Sequence, residues 1–143
     1  MRMLVVEADR KFARFIRMCL VEDGCAVDMV TTANHAMQLT SLHPYDCLIV
    51  GIQLPDMRGV QLATALRREG GAPILMLGPC GSPEHVIEGL DSGADAYLGS
   101  PFRVAEFSAR IRALVRRPER PANLPATGLM ESLAVNMLQP VTS

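Results

Sequence analysis

Carboxylates, thiols, imidazoles and guanidinium groups are the side chains of this sequence that could do chemistry. Glu7 closes the apolar run Met3-Leu4-Val5-Val6, and Asp9 follows two residues later. A carboxylate at a strand end can ligate a hard cation or act as a nucleophile. Glu7 also reads as a solvated strand-end carboxylate, and Asp9 as the N-cap of the helix that follows. Asp56 stands after Pro55 in a loop, where aspartate often serves a turn. Cys19, Cys25, Cys47 and Cys80 show no metal or redox spacing, and three of them lie in apolar runs as core thiols. Cys80 has no cation near it in sequence to make it reactive. His35, His43 and His85 share no metal-ligand spacing. Arg110, Arg112, Arg116, Arg117 and Arg120 form the one basic cluster expected from the sequence. At a helix C-terminus they complement the dipole, which is preferred to DNA contact because no recognition helix accompanies them.

Those groups need elements to position them. Short apolar runs at 2–6, 25–29, 46–50, 73–77 and 95–98 read as strands. Between them, Phe12, Phe15, Ile16, Cys19 and Leu20 recur at helical spacing, and Ala33, Ala36, Met37 and Thr40 mark a second helix more weakly. Val60, Ala63 and Leu66 mark a third, closed by Gly70-Gly71. Ser82-Pro83-Glu84 opens a fourth, with proline at the first helical position. Phe107, Ile111, Leu114 and Val115 give the fifth its stripe. Five strands alternating with five helices imply an α/β, doubly wound parallel sheet covered on both faces. The fully apolar Leu48–Val50 and Ile74–Leu77 read as its central strands. Ligands of such sheets bind beyond the carboxyl ends of the strands. The alternation therefore brings Glu7, Ala8, Gly51, Gly78 and Ser100 around one crevice.

The bulk properties exclude several classes. A chain of 143 residues, nearly half of them hydrophobic, suits one globular domain. A formal charge of −1 argues against a general binder of nucleic acid or anionic membrane. No apolar stretch is long enough to span a bilayer, and the first residues reach Glu7 too soon for a secretory signal, so the cytoplasm is expected.

The order and spacing of several motifs resemble a known family. Arg2-Met3-Leu4-Val5-Val6-Glu7, Leu48-Ile49-Val50-Gly51-Ile52-Gln53-Leu54-Pro55, Gly89-Leu90-Asp91-Ser92-Gly93-Ala94-Asp95-Ala96-Tyr97-Leu98 and Pro101-Phe102 stand in sequence over residues 1–117. Together with the last helix, Glu106 to Arg117, they resemble a bacterial response-regulator receiver domain of the OmpR/PhoB type. The resemblance implies a five-stranded (βα)5 flavodoxin-like fold and a phosphoacceptor aspartate after the third strand. That position is Gly51, which cannot form an acyl phosphate. The acidic pair of the family is Glu7-Ala8, its hydroxyl residue is Gly78 and its lysine is Ser100. Loss of two acids and one base together leaves a neutralised pocket with poor ligation for magnesium. Pro79 implies a stiff loop with little coupling to the fourth helix.

By resemblance, a degenerate receiver, or pseudo-receiver, would act through protein contact without phosphorylation, with no cofactor and no catalytic residue. It would form a homodimer, or a heterodimer with a related regulator, through helix 4, strand 5 and helix 5. The face would include Val86, Leu90, Asp95, Ala96, Glu106, Arg110, Ala113 and Arg117, with Tyr97 as the switch-like aromatic. Two other readings are a phosphoacceptor at a displaced acid such as Asp56, and a small-ligand sensor in the emptied crevice. Residues 118–143 read as a Pro-rich linker and short tail, a possible stub of a winged-helix effector, and no direct nucleic-acid or membrane contact is expected of this chain alone.

Overall fold

The computed structural model describes residues 1–116. Five parallel strands alternate with five helices: β1 (Arg2–Val6), α1 (Arg10–Glu22), β2 (Ala26–Val30), α2 (Ala33–Leu42), β3 (Cys47–Gly51), α3 (Gly59–Glu69), β4 (Ile74–Pro79), α4 (Pro83–Ser92), β5 (Ala96–Ser100) and α5 (Val104–Arg116). The sheet order is β2-β1-β3-β4-β5. The chain crosses from one side of β1 to the other between β2 and β3, so the crevice opens where the carboxyl ends of β1 and β3 part.

Side-chain alternation divides the core. Met3, Val5, Cys47, Ile49, Leu75 and Leu77 face α1 and α5, with Ile16, Leu20, Phe107 and Ile111 closing over them. Leu4, Val6, Leu48, Val50, Ile74 and Met76 face the other way, under Ala33, Ala36, Leu62 and Leu66 of α2 and α3. Strands buried on both faces explain why those runs are apolar throughout rather than alternating. The second to fifth strands each begin one residue later than expected and end one or two residues later. Cys25 closes the end of α1 through a bond from its N–H to Leu20 O (3.0 Å), and the Asp46 side chain accepts from Arg2 N (2.8 Å). The Asp95 carboxylate accepts from Ile74 N (2.8 Å) and is paired with Arg67.

The helix starts follow from local capping. Asp9 Oδ1 accepts from Lys11 N and Phe12 N, Thr32 Oγ1 from His35 N, and Ser82 Oγ from His85 N with Pro83 behind it. Tyr45 at the amino end of the sheet donates to Asp28 (2.7 Å), which also pairs with Arg2. Burial, reinforced by the Asp28 carboxylate, pushes the Tyr45 phenol up to about 12.

α3 starts against bare backbone. Gly59 N donates to Ile52 O (2.8 Å), and a Cβ on Gly59 would overlap the Gly51 carbonyl oxygen and lie 2.9 Å from Ile52 Cα. Helix propensity alone favours alanine over glycine by about 1 kcal/mol. Backbone atoms cannot swing aside as a side chain can, so Gly59→Ala is expected to reverse that sign and cost about 1–3 kcal/mol. Urea unfolding reads the difference; an unchanged or raised midpoint would mean that the two strands of backbone part without cost.

Candidate functional site

The crevice holds about 330 Å³ and is lined by Glu7, Ala8, Asp9, Phe12, Ile52, Gln53, Leu77, Gly78 and Ser100. Four of the five residues expected to converge there line it directly. Gly51 is buried beneath it, and the Glu7 carboxylate lies over the glycine. A Cβ on Gly51 would stand 2.5 Å from Glu7 Oε1. Glu7 Oε2 accepts from Asp9 N (2.9 Å), so the carboxylate bridges the turn into α1. Burial pushes the Glu7 carboxyl up and the neighbouring Asp9 charge adds to this, while the Asp9 N–H pulls it back.

The opposite wall rests on Tyr97. A Cβ on Gly78 would fall within the Tyr97 hydroxyl and 2.8 Å from Ile52 Cγ2, so glycine is what admits the ring. Tyr97 OH donates to Pro79 O (3.0 Å). Its other edge faces α4, where a Cβ on Gly89 would be 3.2 Å from Tyr97 Cδ2. Gly78, Tyr97 and Gly89 thus form a continuous packing chain from crevice to α4, a link absent from the expectation of a decoupled helix. Burial raises the Tyr97 phenol.

A profile of the response regulator receiver domain family matches residues 3–112. This chain belongs to that family. It is 39% identical over 118 residues to the transcriptional regulatory protein CusR of Escherichia coli (strain K12), covering 82% of this chain and 52% of that protein. It is 42% identical over 120 residues to the response regulator RppA of Synechocystis, covering 82% and 51%. The receiver domain of the Francisella response regulator 1452 superposes with a TM-score of 0.76 at 31% identity, covering 82% of this chain and 98% of that one. The chain spans about half the length of the curated relatives it matches.

The family implies magnesium, and the donors of this receiver domain do not fit it. Glu7 is turned to Gly51 and the Asp9 amide, and Asp9 Oδ1 is occupied by two helix amides. Among the described residues no three His, Cys, Asp or Glu side chains converge as a metal cage. Asp56 lies outside the crevice. Its two oxygens accept from Ala33 N (2.9 Å) and Asn34 N (2.8 Å), which hold its carboxyl below the usual range and bind it to the start of α2.

On the face expected to pair, Leu90 and Ala113 are exposed, and Val86 and Ala96 are half-buried. Asp95 pairs with Arg67, and Arg110 with Glu106 one turn away (3.8 Å). Arg117, Arg120 and the tail 118–143 lie outside the described residues. Cys19 and Cys47 are buried, Cys25 is half-buried and Cys80 is exposed. No helix among the described residues is long and apolar enough to cross a membrane.

Three further positioning contacts, beside those of Asp56 and Tyr97, were missed by sequence reasoning. All four phenylalanines cluster: Phe12 and Phe107 lie 6.1 and 5.5 Å from Phe102, and Phe15 lies 6.2 Å from it. Ser108 Oγ donates to Asp23 (2.9 Å) from a buried position on α5. The Glu7–Gly51 fit is the third. A glycine after an apolar run was its only signal.

Two outcomes are expected. Glu7 titrates higher in the folded chain than in the unfolded one. The native state therefore retains a proton that unfolding releases, and the stability this carboxyl contributes is lost as pH rises through its folded pKa. Glu7→Gln removes that loss, so the variant should gain on the parent in urea unfolding as pH rises above the ordinary glutamate range. A constant difference would mean an unshifted carboxyl. Gly78→Ala should expel the Tyr97 ring, moving its ring-proton resonances and those of Gly89 in NMR spectra; unmoved spectra would show that the wall yields instead.

Proposed function

We propose that this chain is a pseudo-receiver of the OmpR/PhoB type. It regulates transcription or signalling in the cytoplasm by protein contact, without accepting a phosphoryl group and without enzymatic activity. The observation that carries the reading is Gly51 beneath the Glu7 carboxylate. The third strand ends with no side chain to attack a phosphoryl donor, and the nearest acid fills the space an aspartate would need. Ser100 offers no cation to neutralise a transferred phosphoryl group. The displaced-acceptor alternative is disfavoured because both oxygens of Asp56 already hold helix amides.

The contact face in this reading is α4-β5-α5. Leu90, 44% exposed, stands at its centre with Val86 and Ala113, and the charged groups around it include the Glu106–Arg110 pair. Exposed ion pairs contribute under about 1 kcal/mol each, so the aliphatic centre would hold a two-fold pair. A second copy, or the receiver of a related regulator, is the partner. Similarity to CusR, a transcriptional regulatory protein, supports the transcriptional role.

Size-exclusion light scattering of the full chain, with and without a small-molecule phosphodonor and magnesium, tests this. At high ionic strength the expected result is one dimeric mass with and without the donor, and a monomer for Leu90→Glu. A donor-dependent change in mass would overturn phosphorylation independence, and an unchanged mass for Leu90→Glu would overturn the face.

A further inference from the structure

A second basic cluster, which the sequence reading did not single out, lies on α1. Arg10, Arg14 and Arg17 line one side of a groove of about 400 Å³, with His35 of α2 and Met29 of the edge strand β2 opposite. Among the described residues none of the three arginines has a salt-bridge partner, and no carboxylate lines the groove. Like charges at 10, 14 and 17, four and then three residues apart on one face, oppose helix stability. α1 has no acid in its first turn and carries Arg10 and Lys11 there, where the dipole disfavours cations. Folding of the chain itself gives no reason for this stripe.

α4 carries its complement. Glu84, Glu88 and Asp91 border an open groove against α3, with Val60 and Thr64 across from them. Glu88 pairs with Arg58 at 2.6 Å; Glu84 and Asp91 have no cationic partner among the described residues. The acids stand at 84, 88 and 91 and the arginines at 10, 14 and 17. Both stripes step by four and then three, and each spans about 10 Å of helix. Each also has large exposed apolar groups beside it: Ile87 (59%) on α4, Met18 (54%) and Val21 (50%) on α1.

We infer that the arginine flank of α1 receives the acidic flank of α4 from a second copy of this chain. α1 covers one face of the sheet, and α4 packs on the other face, against Met76 and Tyr97. One molecule cannot join its own two flanks, and a contact between unlike surfaces propagates head to tail. Arginine forks meet carboxylates in pairs, and the aliphatic groups supply the dry centre. On α4 the acids lie toward α3, whereas Val86 and Leu90 lie on the side of the face proposed for two-fold pairing. The two contacts are compatible and separately testable.

Sedimentation velocity of the full chain across concentration and salt tests the inference with two triple variants. One is Arg10→Glu, Arg14→Glu, Arg17→Glu; the other is Glu84→Arg, Glu88→Arg, Asp91→Arg. The parent should form species larger than a dimer at low salt and lose them at high salt. Each variant alone should form none, and an equimolar mixture should restore them, because each then supplies what the other needs. Circular dichroism checks that both variants fold, and Leu90→Glu should leave the head-to-tail species in place while losing the two-fold pair. A parent that never exceeds a dimer, or folded variants whose mixture restores nothing, would overturn the inference.

Discussion

The burial of β1 and β3 on both faces is the constraint on which the rest depends. Met3, Val5, Cys47 and Ile49 must be covered from one side, and Leu4, Val6, Leu48 and Val50 from the other. Helices on both faces are the available solution, and right-handed crossovers then fix which strand lies where. The chain must depart from β1 in both directions, and the place where it does so is the crevice. Site and fold therefore share one cause. The residues that end β1, β3, β4 and β5 meet because the sheet is parallel, whatever their chemistry.

Their chemistry is mutually adjusted. With glycine under Glu7, glycine under Tyr97 and serine at the end of β5, the wall carries two carboxylates, Glu7 and the capping Asp9, and no cationic side chain. Burial works against the charge of Glu7, and the backbone N–H groups of Asp9 and, more weakly, Ala8 work for it. The space beside the small residues is taken up by neighbours on both sides of the crevice: Glu7 leans over Gly51 and Tyr97 over Gly78. Close packing of this kind leaves no void beside a glycine when a flexible group stands near.

Periodicity made the fold legible. The apolar runs and the stripes of α1 and α5 are local signals, and the caps Asp9 and Ser82 stand next to the helices they start. The convergence of Glu7, Ala8, Gly78 and Ser100 could be read from strand ends alone. What stayed hidden depends on contacts far apart in sequence. Ser108 reaches Asp23 across 85 positions, and Asp56 reaches Ala33 across 23. The inward seat of Tyr97 depends on space at Gly78, which no pattern in the chain encodes. The arginines of α1 were hidden for another reason: they lie away from its buried face, so the helix reads as an ordinary amphipathic one.

Asp56 carries a consequence for motion. It belongs to the loop that leaves β3, whose residues Ile52 and Gln53 wall the crevice, yet its carboxylate satisfies the first amides of α2. Those amides have no partner within their own helix. If the loop swings outward, α2 loses two acceptors at once and its first turn frays. Widening of the crevice on this side is therefore thermodynamically coupled to melting at a helix terminus on the flank of the sheet. The wall opens with the low population of a local unfolding event rather than with the ease of a free surface loop.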